Sequence, residues 1–304
     1  MTELTAFQKK TADLLPNTSY SFYEPMAKHT SFRIGGPAEV MVFPNNGDEL
    51  AQIMKVSKVL DCKPRILGAG TNVLAPDEML AGITVCLKDC MDGITLLDES
   101  SIRVAAGVTM SRAAVFAANQ GLSGLEFAHG IPGTVGGGVY MNAGAYGGEI
   151  CQVCTQVEIM DFDGNRKMLS CEEMEFSYRH SVLEDLDAVV VSADFKLTPA
   201  DPAAIRERMK ELMAKRSASQ PLDLPSAGSA FKRPVGGYAA AMIDQTGLKG
   251  FAVGDAAIST KHAGFAVNLG SAIASDVKEL LKQVSDRVFE QFEIRLEPEI
   301  RIWE

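Results

Sequence analysis

Apolar residues recur along this chain at two different periods, and the switches between them outline its elements. Residues 38–43 (AEVMVF) make an apolar run of strand length. Residues 46–60 then repeat at helical spacing, with Leu50, Ile53, Met54 and Ser57 on one face and Asn46 or Asp48 placed to cap it. Pro64–Leu67 and 83–87 read as short strands, and 93–107 as a hairpin turning at Asp98-Glu99-Ser100. A helix follows from Thr109 or Ser111 to Gly121, a glycine that suits the position just past a helix end. Residues 155–160, 166–169 and 188–197 read as further strands, with Asp163-Gly164 as a hairpin turn.

The pattern changes at Thr198-Pro-Ala-Asp-Pro202. Asp201 can cap a helix with Pro202 in its first turn, and Ile205, Met209, Leu212 and Met213 supply its apolar face. A loop rich in Ser and Pro is expected from Arg216 through Ser229. A long helix begins near Ser275, with Val277, Leu280, Leu281, Val284, Val288 and Phe292 at helical spacing, and Ile294–Trp303 reads as strand. The outline is α+β, with residues 1–200 as a larger part and 201–304 as a smaller one.

Composition narrows the function classes. A chain of 304 residues suggests about two domains. Its net charge of −10 excludes a basic nucleic-acid reader, so any anionic ligand needs local cations or backbone N–H groups. No apolar run reaches the ~18 residues of a membrane span. The N-terminal MTELTAFQKKTADLL reads as a short amphipathic helix ending before Pro16 rather than a signal peptide, so a cytoplasmic protein with reduced thiols is expected. Alternation through CQVCTQVEIM puts Cys151 and Cys154 on opposite strand faces, so no metal site is expected there.

One stretch stands apart chemically. Nine of the 27 glycines fall between Gly124 and Gly148, and 127–148 contain no Asp, Glu, Lys or Arg. Glycine permits positive φ and lets backbone N–H groups converge on an anion, which suits a pyrophosphate without any lysine. The plain alternative is a flexible loop. A second glycine loop, Gly68-Ala-Gly70, lacks the third glycine of a Rossmann fingerprint because Val73 stands there, and no Gly-Lys-Ser/Thr of a P-loop exists.

His29-Thr-Ser-Phe-Arg-Ile-Gly-Gly-Pro37, Gly68-Ala-Gly-Thr-Asn-Val-Leu74, Gly130-Ile-Pro-Gly-Thr-Val-Gly-Gly137, Met141-Asn-Ala-Gly-Ala-Tyr-Gly147, Tyr178-Arg179, Gly228-Ser-Ala-Phe-Lys232 and Leu296-Glu-Pro-Glu-Ile300 occur in this order. From about residue 20 onward the chain resembles the UDP-N-acetylenolpyruvoylglucosamine reductases, also called UDP-N-acetylmuramate dehydrogenases. The short span between Arg179 and the strand at 188 leaves no room for the tyrosine-bearing loop of one branch, so the shorter branch is implied.

The resemblance implies a two-lobed FAD-binding domain of the vanillyl-alcohol-oxidase type, with lobes at about 20–90 and 91–200. It implies a substrate-binding domain at 201–304, whose last strand returns to the active site. The implied reaction is NADPH-dependent, FAD-mediated reduction of UDP-N-acetylglucosamine enolpyruvate to UDP-N-acetylmuramate, in peptidoglycan precursor synthesis. FAD is implied to be non-covalent, with His29 and His129 structural. No metal and no obligate protein partner is implied.

For the cofactor, the resemblance implies Arg33, Gly68, Ala69, Gly70, Thr71, Asn72, Gly130, Pro132, Gly133, Thr134, Gly136, Gly137, Asn142, Ala143 and Gly144. For the chemistry it implies Ser229 as proton donor, Arg179 on the substrate carboxylate and Glu299 on the enol intermediate. Alternation alone puts Glu297 and Glu299 on one face and does not choose between them. Tyr178, Lys215, Arg216, Lys232 and Arg233 are the implied substrate-binding residues. Two departures stand out: many members carry Asn at the position of Arg233, and His-Ala-Asn-Phe is more frequent than His262-Ala-Gly264-Phe.

Overall fold

The computed structural model describes residues 3–304; positions 1 and 2, counted above with the N-terminal helix, lie outside the described residues. That helix spans Ala6–Leu14. Thr5 caps it by accepting from the Gln8 N–H while its own N–H donates to the Gln8 side chain.

The chain divides into two compact units. The first holds residues up to Phe22, Glu39–Ala69 and Ala81–Ala214; the second holds Tyr23–Ala38, Gly70–Leu80 and Lys215–Glu304. A contiguous division at residue 200 thus gives way to an interleaved one. The reason lies in burial: Phe32, Ile34 and Leu74 share a core with Phe231, Ile243 and Leu280, and no local pattern tells which of two cores an apolar residue will join.

A four-stranded sheet runs in the order Ser19–Pro25, Pro37–Phe43, Leu80–Cys86, Arg65–Leu67, the last pair parallel. Helix Gly47–Val59, capped by the Asn46 side chain, buries Leu50, Ile53 and Met54 in the same core as Val40, Val42, Ile83 and Val85. Each such side chain contributes roughly 1.5–3 kcal/mol when fully buried. A five-stranded antiparallel sheet runs Arg166–Ser170, Cys154–Asp161, Ala188–Lys196, Ser101–Ala105, Ile94–Asp98. Its central strand, Ala188–Lys196, is buried along nearly its whole length, as an apolar run with little alternation requires. Helices Met110–Asn119 and Val135–Tyr140 share that core. Cys151 lies in a 3-10 turn, Ile150–Gln152, and the strand begins only at Cys154, so the alternation read through both cysteines does not extend to the first.

Helix Pro202–Ser219 carries the chain from the first unit to the second. It buries Ile205, Met209 and Leu212, leaves Met213 exposed, and runs three residues past Arg216, where a loop was expected. The second unit has an antiparallel sheet ordered Ser226–Ser229, Phe265–Asn268, Ala256–Ile258, Ala252–Val253. The local composition of Ser226–Ser229 suits a loop, but pairing with residues almost forty positions later makes it strand. Helix Ala274–Phe292 buries Val277, Leu280, Leu281, Val284 and Val288 against the same core. The Asp77 carboxylate accepts from the Ala274 and Ser275 N–H groups at 2.6 and 3.0 Å, a favourable place for a negative charge. Of the expected strand at Ile294–Trp303, only Arg301–Ile302 forms, parallel to Val73–Leu74.

Candidate active site

The expected cofactor residues of the first unit converge through backbone geometry. Residues Gly130–Thr134 lead into the short helix Val135–Tyr140, with Thr134 capping the Gly137 N–H at 3.4 Å. Gly68 packs on the same threonine: a Cβ at Gly68 would stand 2.4 Å from Thr134 Oγ1. The two glycine loops therefore meet at one hydroxyl. Among the described residues, the N–H groups of Gly130, Gly133 and Thr134 take no backbone partner, so they remain able to hold an anion.

The paired glycines of that helix do different work. Gly136 is buried, its N–H donates to Ala106 O at 2.9 Å, and a Cβ there would stand 2.9 Å from the Ala106 Cβ. Its missing side chain serves helix packing rather than ligand approach. Gly137 is exposed, and a Cβ there would meet only Thr134 Oγ1 at 3.7 Å. Pro132 is also exposed. These open positions, on a charge-free segment, fit a pyrophosphate-bearing cofactor.

Asn142 is likewise committed internally. It is buried at φ 41°, its Oδ1 accepts from Cys151 N at 3.0 Å, and its amide donates to Glu149 Oε2 at 3.2 Å and Ser177 O at 3.0 Å. It positions the segment around it. Ala143 and Gly144 follow, and Gly144 opens a two-stranded hairpin turning through Tyr146 and Gly147, both at positive φ. Tyr146 is an exposed aromatic held on a left-handed turn, a conformation uncommon for bulky residues.

Tyr178 and Arg179 form the centre of a tight turn closed by Ser177 and His180, which exchange N–H···O bonds of 3.1 and 3.3 Å. Arg179 sits at φ 56°, a left-handed conformation costing roughly 1–2 kcal/mol for a residue with a Cβ. Three bonds fasten this turn to the glycine-rich segment: the Asn142 amide to Ser177 O, Ser181 Oγ to Tyr140 O at 2.8 Å, and Arg179 Nη2 to Gly144 O at 3.3 Å. The guanidinium also lies 5.0 Å from the Tyr178 ring centre.

The second unit gathers Arg33, Gly70, Thr71, Asn72, Lys215, Arg216, Ser229, Lys232, Arg233 and Glu299. Gly70, at φ 60°, is pressed on the chain at His29, where a Cβ would come within 2.1 Å of the carbonyl oxygen; its own carbonyl accepts from Ser31 N at 3.1 Å. Arg33 is exposed at φ 56°. Ser31 Oγ donates to Ser226 O at 2.6 Å, and the Asn72 amide donates to Glu299 O at 3.1 Å. Ser229 and Glu299 are joined through a two-stranded contact. Glu299 N donates to Ala230 O at 3.0 Å, Lys232 N donates to Glu297 O at 2.9 Å, and Phe231 bridges Pro298.

Side-chain burial separates the two glutamates that alternation left equivalent. Glu297 is exposed and pairs with Lys232 at 2.5 Å, whereas Glu299 is half-buried. Arg233 stacks 4.7 Å from the Tyr238 ring centre. Lys215 is exposed and Arg216 half-buried at the end of their helix. At the other departure, Gly264 donates to His262 Nδ1 at 3.1 Å, its carbonyl accepts from Ala230 N at 2.8 Å, and a Cβ would crowd His262 and Ala240 at 3.0–3.1 Å. Burial holds His262 below its ordinary value, so it is neutral near pH 7.

The histidines and cysteines have local roles. His29 Nε2 lies 3.0 Å from Glu24, and His129 Nδ1 lies 3.2 Å from Ser111. Burial pushes the Cys86 thiol up to about 11 and that of Cys154 up to about 12. Among the described residues, no group of three or more His, Cys, Asp or Glu could hold a metal ion. Nor is any helix long and apolar enough to cross a membrane.

Comparison with known proteins places this arrangement. Residues 38–170 match an FAD binding domain, and 220–303 match the UDP-N-acetylenolpyruvoylglucosamine reductase C-terminal domain. The reductase of Agathobacter rectalis is 41% identical over 97% of this chain and 98% of its own length. That of Pseudothermotoga lettingae is 47% identical over 92% of this chain and 96% of its own. The crystal structure of the Thermus caldophilus enzyme superposes with a TM-score of 0.80 at 35% identity, over 95% of this chain and 99% of that one. The FAD-binding part has the vanillyl-alcohol-oxidase architecture, followed by a smaller α+β region. With near-complete coverage at such identity, the chain belongs to the UDP-N-acetylenolpyruvoylglucosamine reductase family.

Proposed function

We propose that this protein reduces the enolpyruvyl ether of UDP-N-acetylglucosamine enolpyruvate to the lactyl ether of UDP-N-acetylmuramate, in the cytoplasm, during peptidoglycan precursor synthesis. The observation that carries the reading is family membership over nearly the whole chain together with the ladder that joins Ser229 and Glu299. Bound FAD would supply hydride transfer between NADPH and the terminal alkene carbon of the substrate.

Gly130, Gly133, Thr134 and the open face at Gly137 would hold the cofactor's pyrophosphate through backbone N–H groups. Gly68 and Thr134 set the approach of the two loops, and Asn142 holds the frame. Arg33, Ala69, Gly70, Thr71, Asn72, Ala143 and Gly144 are the remaining proposed contacts. Arg179 pairs with the substrate carboxylate, where a planar fork gives orientation that a point charge cannot. As negative charge develops toward that carboxylate, Ser229 Oγ delivers a proton to the adjacent carbon, and Glu299 stabilises the enol by hydrogen bonding. Tyr178 contacts the substrate, and Lys215, Arg216, Lys232 and Arg233 bind the diphosphate of the nucleotide sugar.

An anaerobic titration tests the reading. NADPH should bleach the yellow protein, and the enolpyruvyl substrate should restore its colour. A flavin reoxidised only by oxygen would sink the proposed substrate.

A further inference from the structure

The second unit contains a cavity of about 280 Å³ that none of the proposed catalytic groups lines. Phe231, Leu281, Pro298 and Ile302 form its apolar walls. Lys278, Lys282 and Arg295 also line it, with one acid, Asp286. That carboxylate is shared by two cations: Lys282 at 3.4 Å and Arg295 at 3.1 Å. Lys278 reaches an exposed carboxylate, Glu304, only at 4.0 Å. The lining therefore carries three cations to one anion, in a chain whose net charge is −10. Such a local reversal of sign concentrates anions.

Two further features bear on what fits. The volume lies just below the roughly 300–1,000 Å³ typical of ligand pockets, too small for a nucleotide sugar. The lining combines hydrocarbon side chains with an excess of cations, which suits an apolar body bearing an anionic group. We propose that this cavity is a second binding site, taking a small amphipathic carboxylate such as a medium-chain fatty acid anion.

Occupancy would be felt by the ladder described above. Phe231 and Pro298 are both walls of the cavity and the bridged pair between the Glu299–Ala230 and Lys232–Glu297 hydrogen bonds. A ligand that moves Pro298 moves the backbone of Glu299, and so changes the rate of flavin reoxidation by substrate. This second effect rests on the function proposed above; binding itself does not.

The test separates the two. The chain has one tryptophan, Trp303, adjacent to Ile302 of the cavity wall, so its emission reports on the site in the FAD-loaded protein. Octanoate should change that emission saturably, with half-saturation on the order of 0.1–1 mM for so small a ligand. Octylammonium, with the opposite charge, should bind at least about tenfold more weakly. Lys278→Glu with Lys282→Glu should weaken octanoate by a similar factor while leaving bound-flavin absorbance unchanged; Lys282 is exposed and Lys278 half-buried. Absence of saturation, equal binding of the two amphiphiles, or an unaffected double variant would each overturn the proposal. So would enzyme captured by anionic vesicles without binding free octanoate, because the face would then be a membrane contact. Saturable binding with reoxidation rates unchanged would overturn the coupling alone.

Discussion

The glycine-rich segment of the first unit and the Ser229–Glu299 ladder of the second solve different problems. The first is built from one contiguous stretch, and what it offers is mostly backbone: N–H groups, positive φ and missing side chains. The second brings together residues seventy positions apart through a few inter-strand bonds, and what it offers is side-chain chemistry. A backbone cradle is tolerant of what its side chains are and intolerant of added bulk. A side-chain site is the reverse. Substitutions should therefore fail in separable ways.

The largest effect is expected at Ser229. Ser229→Ala should leave flavin binding and bleaching by NADPH near normal, yet slow reoxidation by substrate on the order of 10²–10⁴-fold. Ser229→Cys should recover part of that. Stopped-flow flavin absorbance reads both steps, and equal loss of both would mean that Ser229 supports the fold instead. Arg179→Lys comes next, with turnover reduced on the order of tenfold or more because the fork is lost. Near-normal turnover would limit Arg179 to bracing its own turn.

The two glycines then divide the cradle itself. Gly136→Val must displace Ala106 and should destabilise the apoprotein by about 1–3 kcal/mol. Gly137→Val meets open space, so it should spare apoprotein stability and weaken FAD by about tenfold or more. Urea melts with and without FAD distinguish the pair; a stable, FAD-replete Gly137→Val would remove this face from the cofactor site.

Asn142→Ala removes the acceptor of the Cys151 N–H and the donor to both the Ser177 carbonyl and the Glu149 carboxylate, and should cost about 1–3 kcal/mol. Because the Ser177 turn loosens with it, KM for the substrate should rise as well. A stability loss with unchanged KM would show that Arg179 does not depend on this anchor.

The smallest effect is pH-linked. An unfolded thiol ionises near its ordinary value of 9.0, but buried Cys154 holds its proton to about 12. Below pH 9 both states are protonated and nothing is gained or lost. As pH rises past 9 the unfolded chain releases protons first, so stability falls, by about 1.4 kcal/mol per unit at most for this group. Urea midpoints at pH 8 and 10 should show that slope together with the share of buried Cys86, and Cys154→Ala should reduce it by the Cys154 share; an unchanged slope would assign it to other groups.

How much of this was legible depends on range. The Asn46 cap, the Gly121 helix end and the Asp98–Ser101 hairpin are written in adjacent residues, and sequence reading finds them. Ser226–Ser229 is four small residues whose strand character comes entirely from Phe265–Asn268. The end of the chain misleads in the opposite direction. Its alternation is real, but the backbone is satisfied piecemeal, by Ser285 Oγ at Leu296 and by the Lys232–Glu297 and Glu299–Ala230 bonds, so no regular strand forms until Arg301. The catalytic assignments came through resemblance to a family, since a lone serine or glutamate carries no local signature.

The interleaving of the second unit sets an order of events during synthesis. Phe32, Ile34 and Leu74 emerge from the ribosome early, but their core partners Val277, Leu280, Val284 and Leu296 are made some two hundred residues later. At about 5–20 residues per second, these apolar side chains wait on the order of ten seconds or more without their partners. The first unit is complete in sequence once Ala214 has appeared. It can therefore become a folded platform while the rest is still being made. The early strands of the second unit must be kept from other partners over that interval, which makes them the segments where a chaperone would first be needed.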